Sequence, residues 1–286
     1  KHNVKFIFEG EEEVGSKNLP AWVEANKERL ACDVILVSDT TMLSDKVPSI
    51  NCGMRGVTYL QVNVKGPDKD LHSGHYGGAV ANPINTLCDM ISSLIDKDGR
   101  VTIPGFYDDV EELSAEDRAS LARAPFDMEE YKESIGIKEV KGEKGYTTLE
   151  RTAIRPCLDV CGIWGGYTGV GSKTVLPSEA HAKISMRIVP NQTADKIIDL
   201  AAKHILAIAP PYVEVSVEKM EAGNGFLIPI TSPAYKAASR AMTEVYGIEP
   251  VPSRGGGSIC VLADMRNILG ADPLLMGFGL ERDTIH

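Results

Sequence analysis

Two short apolar runs, Val4 to Phe8 and Val34 to Val37, constrain this chain more than any other feature. Each is too short for a helix and too continuous for a strand with one wet face, which suits strands buried on both sides of an α/β sheet. Each also runs into acidic residues, Glu9-Gly10-Glu11-Glu12-Glu13 after the first and Ser38-Asp39 after the second. Ligands of such sheets gather at the carboxyl ends of the strands. Glu12, Glu13 and Asp39 therefore stand where chemistry is expected, and Leu19 to Leu30 reads as a helix between the two strands.

From about Gly53 the pattern changes. Val57, Tyr59, Val62 and Val64 alternate with polar residues, as in a half-wet sheet. Ile84, Leu87, Cys88, Ile91, Leu94 and Ile95 recur at the spacing of one amphipathic helix. Residues 105–150 are charged and weakly periodic, and read as a surface insertion. Strands are expected again at Leu158 to Trp164 and Ala182 to Val189. After Pro190 come a helix (Ala194 to Ile208), a strand (Val213 to Val217), two helices (Pro233 to Tyr246 and Ser258 to Leu269) and a strand (Leu274 to Met276), an α/β alternation once more. The expected architecture is an α/β domain of residues 1–52 with 197–286, interrupted by an α+β domain over 53–196. Both ends of the chain look cut, Lys1 leading straight into an apolar strand and His286 closing the sequence abruptly, so a longer parent protein is expected.

Composition removes several classes of function. Among 286 residues, 40 acidic against 30 basic side chains leave a formal charge of −10. Without a Lys/Arg run to neutralise phosphates, nucleic acid is not an expected partner. No apolar stretch approaches the roughly 18 residues that a bilayer span requires, so no membrane is expected either. Six scattered cysteines (Cys32, Cys52, Cys88, Cys157, Cys161, Cys260) form no zinc-site spacing and read as buried thiols of a reducing, cytoplasmic compartment.

The candidate chemistry lies in a handful of motifs. A run of acids on a loop is ordinarily solvated, but adjacent carboxylates at a strand end also suit division of labour, one ligating a cation and one moving a proton. Asp39 is equally a loop cap or a ligand. Asp70-Leu71-His72-Ser73-Gly74-His75 sets imidazoles among small residues, where they are accessible. Gly166 to Thr174 imitates a phosphate loop, yet Ser172 breaks the required Gly-Lys-Ser/Thr ending. Ser253-Arg254-Gly255-Gly256-Gly257-Ser258 precedes a helix, where free N–H groups suit an anion such as a carboxylate and Ser258 suits an N-cap. Arg187, on an alternating strand, either reaches solvent or clamps a substrate oxygen.

Taken together, Glu9 to Ser16, Ser38-Asp39, Asp70 to Gly74, Lys173-Thr174-Val175-Leu176-Pro177, Arg187-Ile188-Val189-Pro190-Asn191, Gly256-Gly257-Ser258-Ile259 and His286 resemble the M20 metallopeptidase family. Within it the likeness is to the branch of the cytosolic nonspecific and carnosine dipeptidases. The resemblance implies a zinc-exopeptidase-like α/β catalytic domain, a mixed sheet flanked by helices, interrupted by an α+β lid that also forms a homodimer interface. It implies hydrolysis of dipeptides with a free C-terminal carboxylate, using a pair of divalent cations, usually zinc and in some members manganese.

By the same resemblance Glu12 is the general base, Glu13 and Asp39 are metal ligands, and His286 is the final ligand. His72 would enter the partner subunit's site to stabilise the oxyanion, while Thr174, Arg187, Gly256, Gly257 and Ser258 hold substrate. The chain departs from the family in having no match to its upstream His-x-Asp motif or bridging Asp, so only part of the ligand set is present. Gly255 stands where dipeptidase relatives commonly carry Glu, and the C-terminal helix is missing. Two other readings follow: an M20 deacylase or aminoacylase acting on N-acyl amino acids, and a non-catalytic dimerising scaffold that lacks metal ligands.

Overall fold

The computed structural model describes residues 2–280. The first elements are α1 (Leu19–Ala25), α2 (Lys27–Leu30), β1 (Ile35–Val37) and β2 (Ser49–Met54). The chain then builds β3 (Gly56–Lys65), β4 (Leu71–His72), α3 (Ser73–Tyr76), α4 (Pro83–Ser93), α5 (Ala115–Leu121), α6 (Met128–Ile135) and α7 (Thr148–Ala153). Next come β5 (Cys157–Gly165), β6 (Val175–Leu176), β7 (Glu179–Ile188), α8 (Ala194–Ala207) and β8 (Glu214–Gly223). It closes with β9 (Phe226–Leu227), α9 (Pro233–Tyr246), β10 (Val251–Gly255), α10 (Cys260–Leu269) and β11 (Pro273–Leu275).

Strands β1-β11-β2-β10 form a mixed sheet, with β9 also pairing β2. The β1–β11 and β2–β10 pairs are parallel, and β2–β11 is antiparallel. Every residue of β2 is buried, as befits a strand covered on both faces. Helices α1 and α10 pack on this sheet through Val23, Val261, Leu262 and Met265, while α9 contributes Tyr235 and Met242 to a separate cluster with Ile50. Helix α9 is delimited by local chemistry: the Ser232 hydroxyl accepts from Tyr235 N, Pro233 opens the first turn, and Gly247 ends the helix at φ 74°.

The second sheet, β5-β7-β3-β8, is wholly antiparallel. Along β3 burial alternates strictly, with Leu60, Val62 and Val64 inward against α4 and α8. Val57 and Tyr59 have the opposite parity and face away, so the four residues expected to share a face divide between two. Helix α8 and strand β8 belong to this sheet's layer, which reaches Gly223 rather than stopping at residue 196. Sequence alternation after Pro190 looks the same whether helix and strand add to one sheet or the other; pairing alone assigns them.

The expected strand from Val4 to Phe8 is not formed. Val4, Phe6 and Phe8 are 70%, 78% and 93% exposed. A strand needs a ladder partner for its N–H and C=O groups, and this segment finds none among the described residues. Residues 105–150 are also less superficial than expected. Phe106 is fully buried, and Glu143 is buried against Arg155 through hydrogen bonds of 2.7 Å to each carboxylate oxygen. The six thiols are free, but Cys32, Cys88 and Cys161 are exposed, against the expectation of burial. No described helix is long and apolar enough to cross a membrane.

Candidate functional site

Strand β7 carries Arg187 near its end, paired with Val57 on one side and Cys157 on the other. Its side chain leaves the sheet and donates from Nη1 to the Ser258 hydroxyl at 2.8 Å. That hydroxyl in turn donates to the Arg55 carbonyl at 2.6 Å. Ser258 therefore does not cap the helix expected from it: α10 starts at Cys260 with Ile259 in the cap position and no side-chain cap bond. Gly257 is exposed, and a Cβ built there would meet nothing within 4 Å, so the loop opens onto free space beside the guanidinium. Arg187, Gly256, Gly257 and Ser258 are thus gathered into one corner, where an arginine and a glycine loop suit a carboxylate.

Glu12 comes near enough to this corner for its charge to act on Cys260, the first residue of α10. It lies in a single 3₁₀ turn, Glu12–Val14, closed by Gly15 at φ 89°. The neighbouring Glu11 carboxylate is engaged by the Asn18 amide at 2.9 Å and steadies the turn. Burial pushes the Cys260 thiol pKa up; the nearby Arg187 charge lowers it and the Glu12 charge raises it. Carboxylate and guanidinium therefore both act on one half-buried thiol. Glu13 and Asp39 are exposed. Their oxygens are donors of the kind zinc and manganese accept, but two carboxylates do not close a coordination shell. Among the described residues no group of three or more His, Cys, Asp or Glu is arranged to hold a metal ion. His286 lies outside the described residues.

His72 and Thr174 meet elsewhere. Strands β4 and β6 pair as a small ribbon, His72 opposite Val175. The His72 Nδ1 accepts from Gly74 N at 3.1 Å, which leaves the proton of the neutral ring on Nε2, 3.2 Å from Thr174 Oγ1. The Asp70 carboxylate holds the ribbon by accepting from Ser178 N and Oγ at 2.9 and 3.0 Å. These two bonds keep its pKa below the usual aspartate range. The ribbon adjoins the Glu179 end of β7, whereas Arg187 is at the other end. From Glu179 to Arg187 the strand covers roughly 27 Å, at about 3.4 Å per residue. Within one subunit the His72–Thr174 pair and the Arg187–Ser258 pair therefore lie toward opposite ends of β7.

Arg55 and Cys260 escaped the sequence reading. The signal for Arg55 was the glycine on either side of Met54-Arg55. A Cβ at Gly53 would meet Phe226 O at 2.7 Å, and one at Gly56 would meet Gly223 O at 2.4 Å. Such glycines mark backbones that approach closely where the two sheets join.

The family pattern described as the M20 peptidase dimerisation domain matches residues 53–213. The Cys-Gly metallodipeptidase dug1 of Schizosaccharomyces pombe is 32% identical over 289 residues, covering 99% of this chain and 61% of the relative. The crystal structure of human carnosine dipeptidase 1 superposes with a TM-score of 0.82 at 30% identity, over 96% of this chain and 59% of that one. An M20 family metallo-carboxypeptidase from Sulfolobus solfataricus gives 0.82 at 34% identity, over 94% of this chain and 61% of that one. The chain spans about 60% of the length of the curated relatives it matches.

Proposed function

The chain belongs to the M20 peptidase family, and from that premise we propose that it is the core of a metal-dependent dipeptidase cleaving dipeptides with a free C-terminal carboxylate. The observation that carries this reading is the Arg187–Ser258 pair at the mouth of an open glycine loop. Arg187 and the loop amides of Gly257 and Ser258 bind the substrate carboxylate and fix the scissile carbonyl. Glu12 accepts a proton from the attacking water and passes it to the leaving amine. His72 of a second subunit, with its proton on Nε2, turns that N–H from the Thr174 hydroxyl to the developing oxyanion, which frees Thr174 to hold a substrate oxygen.

The reading includes a homodimer formed through residues 53–196, a cytoplasmic setting and a pair of divalent cations, zinc before manganese. Glu13, Asp39 and His286 would contribute to holding those cations together with further ligands. When bound, such cations polarise a peptide carbonyl and acidify water. The division into a catalytic unit, residues 1–52 with 197–286, and a lid belongs to the same proposal, with β8 assigned to the lid's sheet.

The test is Glu12→Gln in the full-length enzyme. A carboxamide accepts no proton, so kcat for a dipeptide is expected to fall at least ~10²-fold while KM and metal content stay as in the wild type. Wild-type turnover would refute the assignment. N-acetyl amino acids, assayed in parallel, are expected to be poorer substrates than dipeptides; the reverse order would favour a deacylase.

A further inference from the structure

We infer that Arg55 is the positioning residue of the substrate-carboxylate corner, fixing the Gly255–Ser258 loop and the direction of the Ser258 hydroxyl so that Arg187 is aimed at the carboxylate. The inference rests on the dipeptidase reading above. Arg55 occupies the crossing from β2 to β3 and is only 8% exposed. Its backbone and side chain grip the same loop. The N–H donates to Gly255 O at 3.4 Å, the carbonyl accepts from Ser258 Oγ at 2.6 Å, and Nε donates to Gly256 O at 3.1 Å. On its far side Nη1 donates to Arg151 O, Arg155 O and the Cys157 thiol at 3.3, 3.1 and 3.6 Å. The loop is thereby tied to the carbonyls that follow from α7 and to the edge of the second sheet.

A hydroxyl has one proton. Because the Ser258 hydroxyl gives its proton to the Arg55 carbonyl, its lone pairs are what Arg187 meets, and that hydroxyl orients the guanidinium while only the Ser258 backbone N–H is left to donate to substrate. Arg187 keeps its other N–H groups for a carboxylate. The charges tell the same story. Among the described residues the side chains of both arginines hydrogen-bond to carbonyls, a thiol and a hydroxyl, none of them a carboxylate. Burial lowers the Arg55 pKa, and the nearby Arg187 charge lowers it further. Two guanidinium groups held close, neither bonded to a carboxylate among the described residues, favour an arriving anion.

The experiment compares Arg55→Lys with the wild-type full-length enzyme on one dipeptide and on its C-terminal amide. Lysine keeps the charge but cannot bridge the three carbonyls. KM for the free dipeptide is expected to rise roughly tenfold or more, with kcat within about threefold and KM for the amide unchanged. An equal KM rise for both substrates, a fall in kcat alone, or no change would overturn the inference. Arg187→Met is measured alongside. If it treats both substrates alike, the carboxylate reading of the site fails; if it discriminates and Arg55→Lys does not, the Arg55 inference alone falls. Should Arg55→Lys not fold, Arg55→Gln, which buries no charge, is subject to the same outcomes.

Discussion

Arg155 illustrates how much one buried charge commits a structure to. It is 2% exposed, bonded through Nε and Nη2 to a Glu143 that is 5% exposed, and its guanidinium lies 4.2 Å from the Tyr146 ring centre. Arg100 donates to the same carboxylate at 2.9 Å. Removing one member of such a pair costs more than the pair contributes, because the survivor stays buried and uncompensated. Glu143→Ala is therefore expected to destabilise the chain by about 3–5 kcal/mol, whereas the double variant with Arg155→Met recovers much of that loss. Urea unfolding of the three proteins checks it; a double variant no more stable than Glu143→Ala would show that the ion pair itself, rather than burial of a lone charge, sets the cost. Nothing in the sequence around Glu143 announces this. It sits in a charged, aperiodic stretch, and its partner is a long side chain whose burial depends on tyrosines placed by tertiary structure.

At the scale of elements, legibility followed periodicity and local caps. Helix α9 was expected to its end residues because Ser232, Pro233 and Gly247 are signals that act within a turn. The strand expected at Val4 to Phe8 has the right composition and no partner among the described residues, since an apolar run states a need for burial without supplying a neighbour. Strand β8 was expected, but its sheet was not, because pairing with β3 is a long-range choice. The β4–β6 ribbon, with only a two-residue strand on each side, also depends on a contact distant in sequence: the Asp70 clasp on Ser178. With its native pKa depressed, the Asp70 carboxylate contributes fully above the unfolded value of about 3.9, and that contribution is lost as pH falls through the lower native value. Asp70→Ala, which removes the acceptor of both bonds, is expected to speed hydrogen exchange at Ser178 N at neutral pH, and acidification of the wild type through that range to weaken the same bonds. Unchanged exchange at Ser178 in the variant would show that the clasp does not hold the ribbon.

Under the dipeptidase reading proposed above, the whole molecule raises a question that no single element answers, namely how two half-sites at opposite ends of the second sheet serve one reaction. Within a subunit, His72 bonded to Thr174 adjoins the Glu179 end of β7, and Arg187 bonded to Ser258 stands near the Ile188 end. A rigid antiparallel strand does not shorten, so bending cannot unite them, and a two-fold dimer can, by laying one subunit's ribbon over the other's carboxylate corner. This arrangement makes a distinctive prediction. His72→Ala and Arg187→Met each disable every site when present in both subunits. In a mixed dimer, however, the His72→Ala subunit keeps its own Arg187 and receives an intact His72 from its partner. One of its sites is then whole and the other doubly defective. Statistical co-assembly of equal amounts is thus expected to restore roughly a quarter of wild-type activity from two nearly inactive proteins. Native mass spectrometry establishes that subunits have exchanged. Mixed dimers that form and stay inactive would mean that His72 serves its own subunit's site, and the separation along β7 would then require a conformational change large enough to break the second sheet.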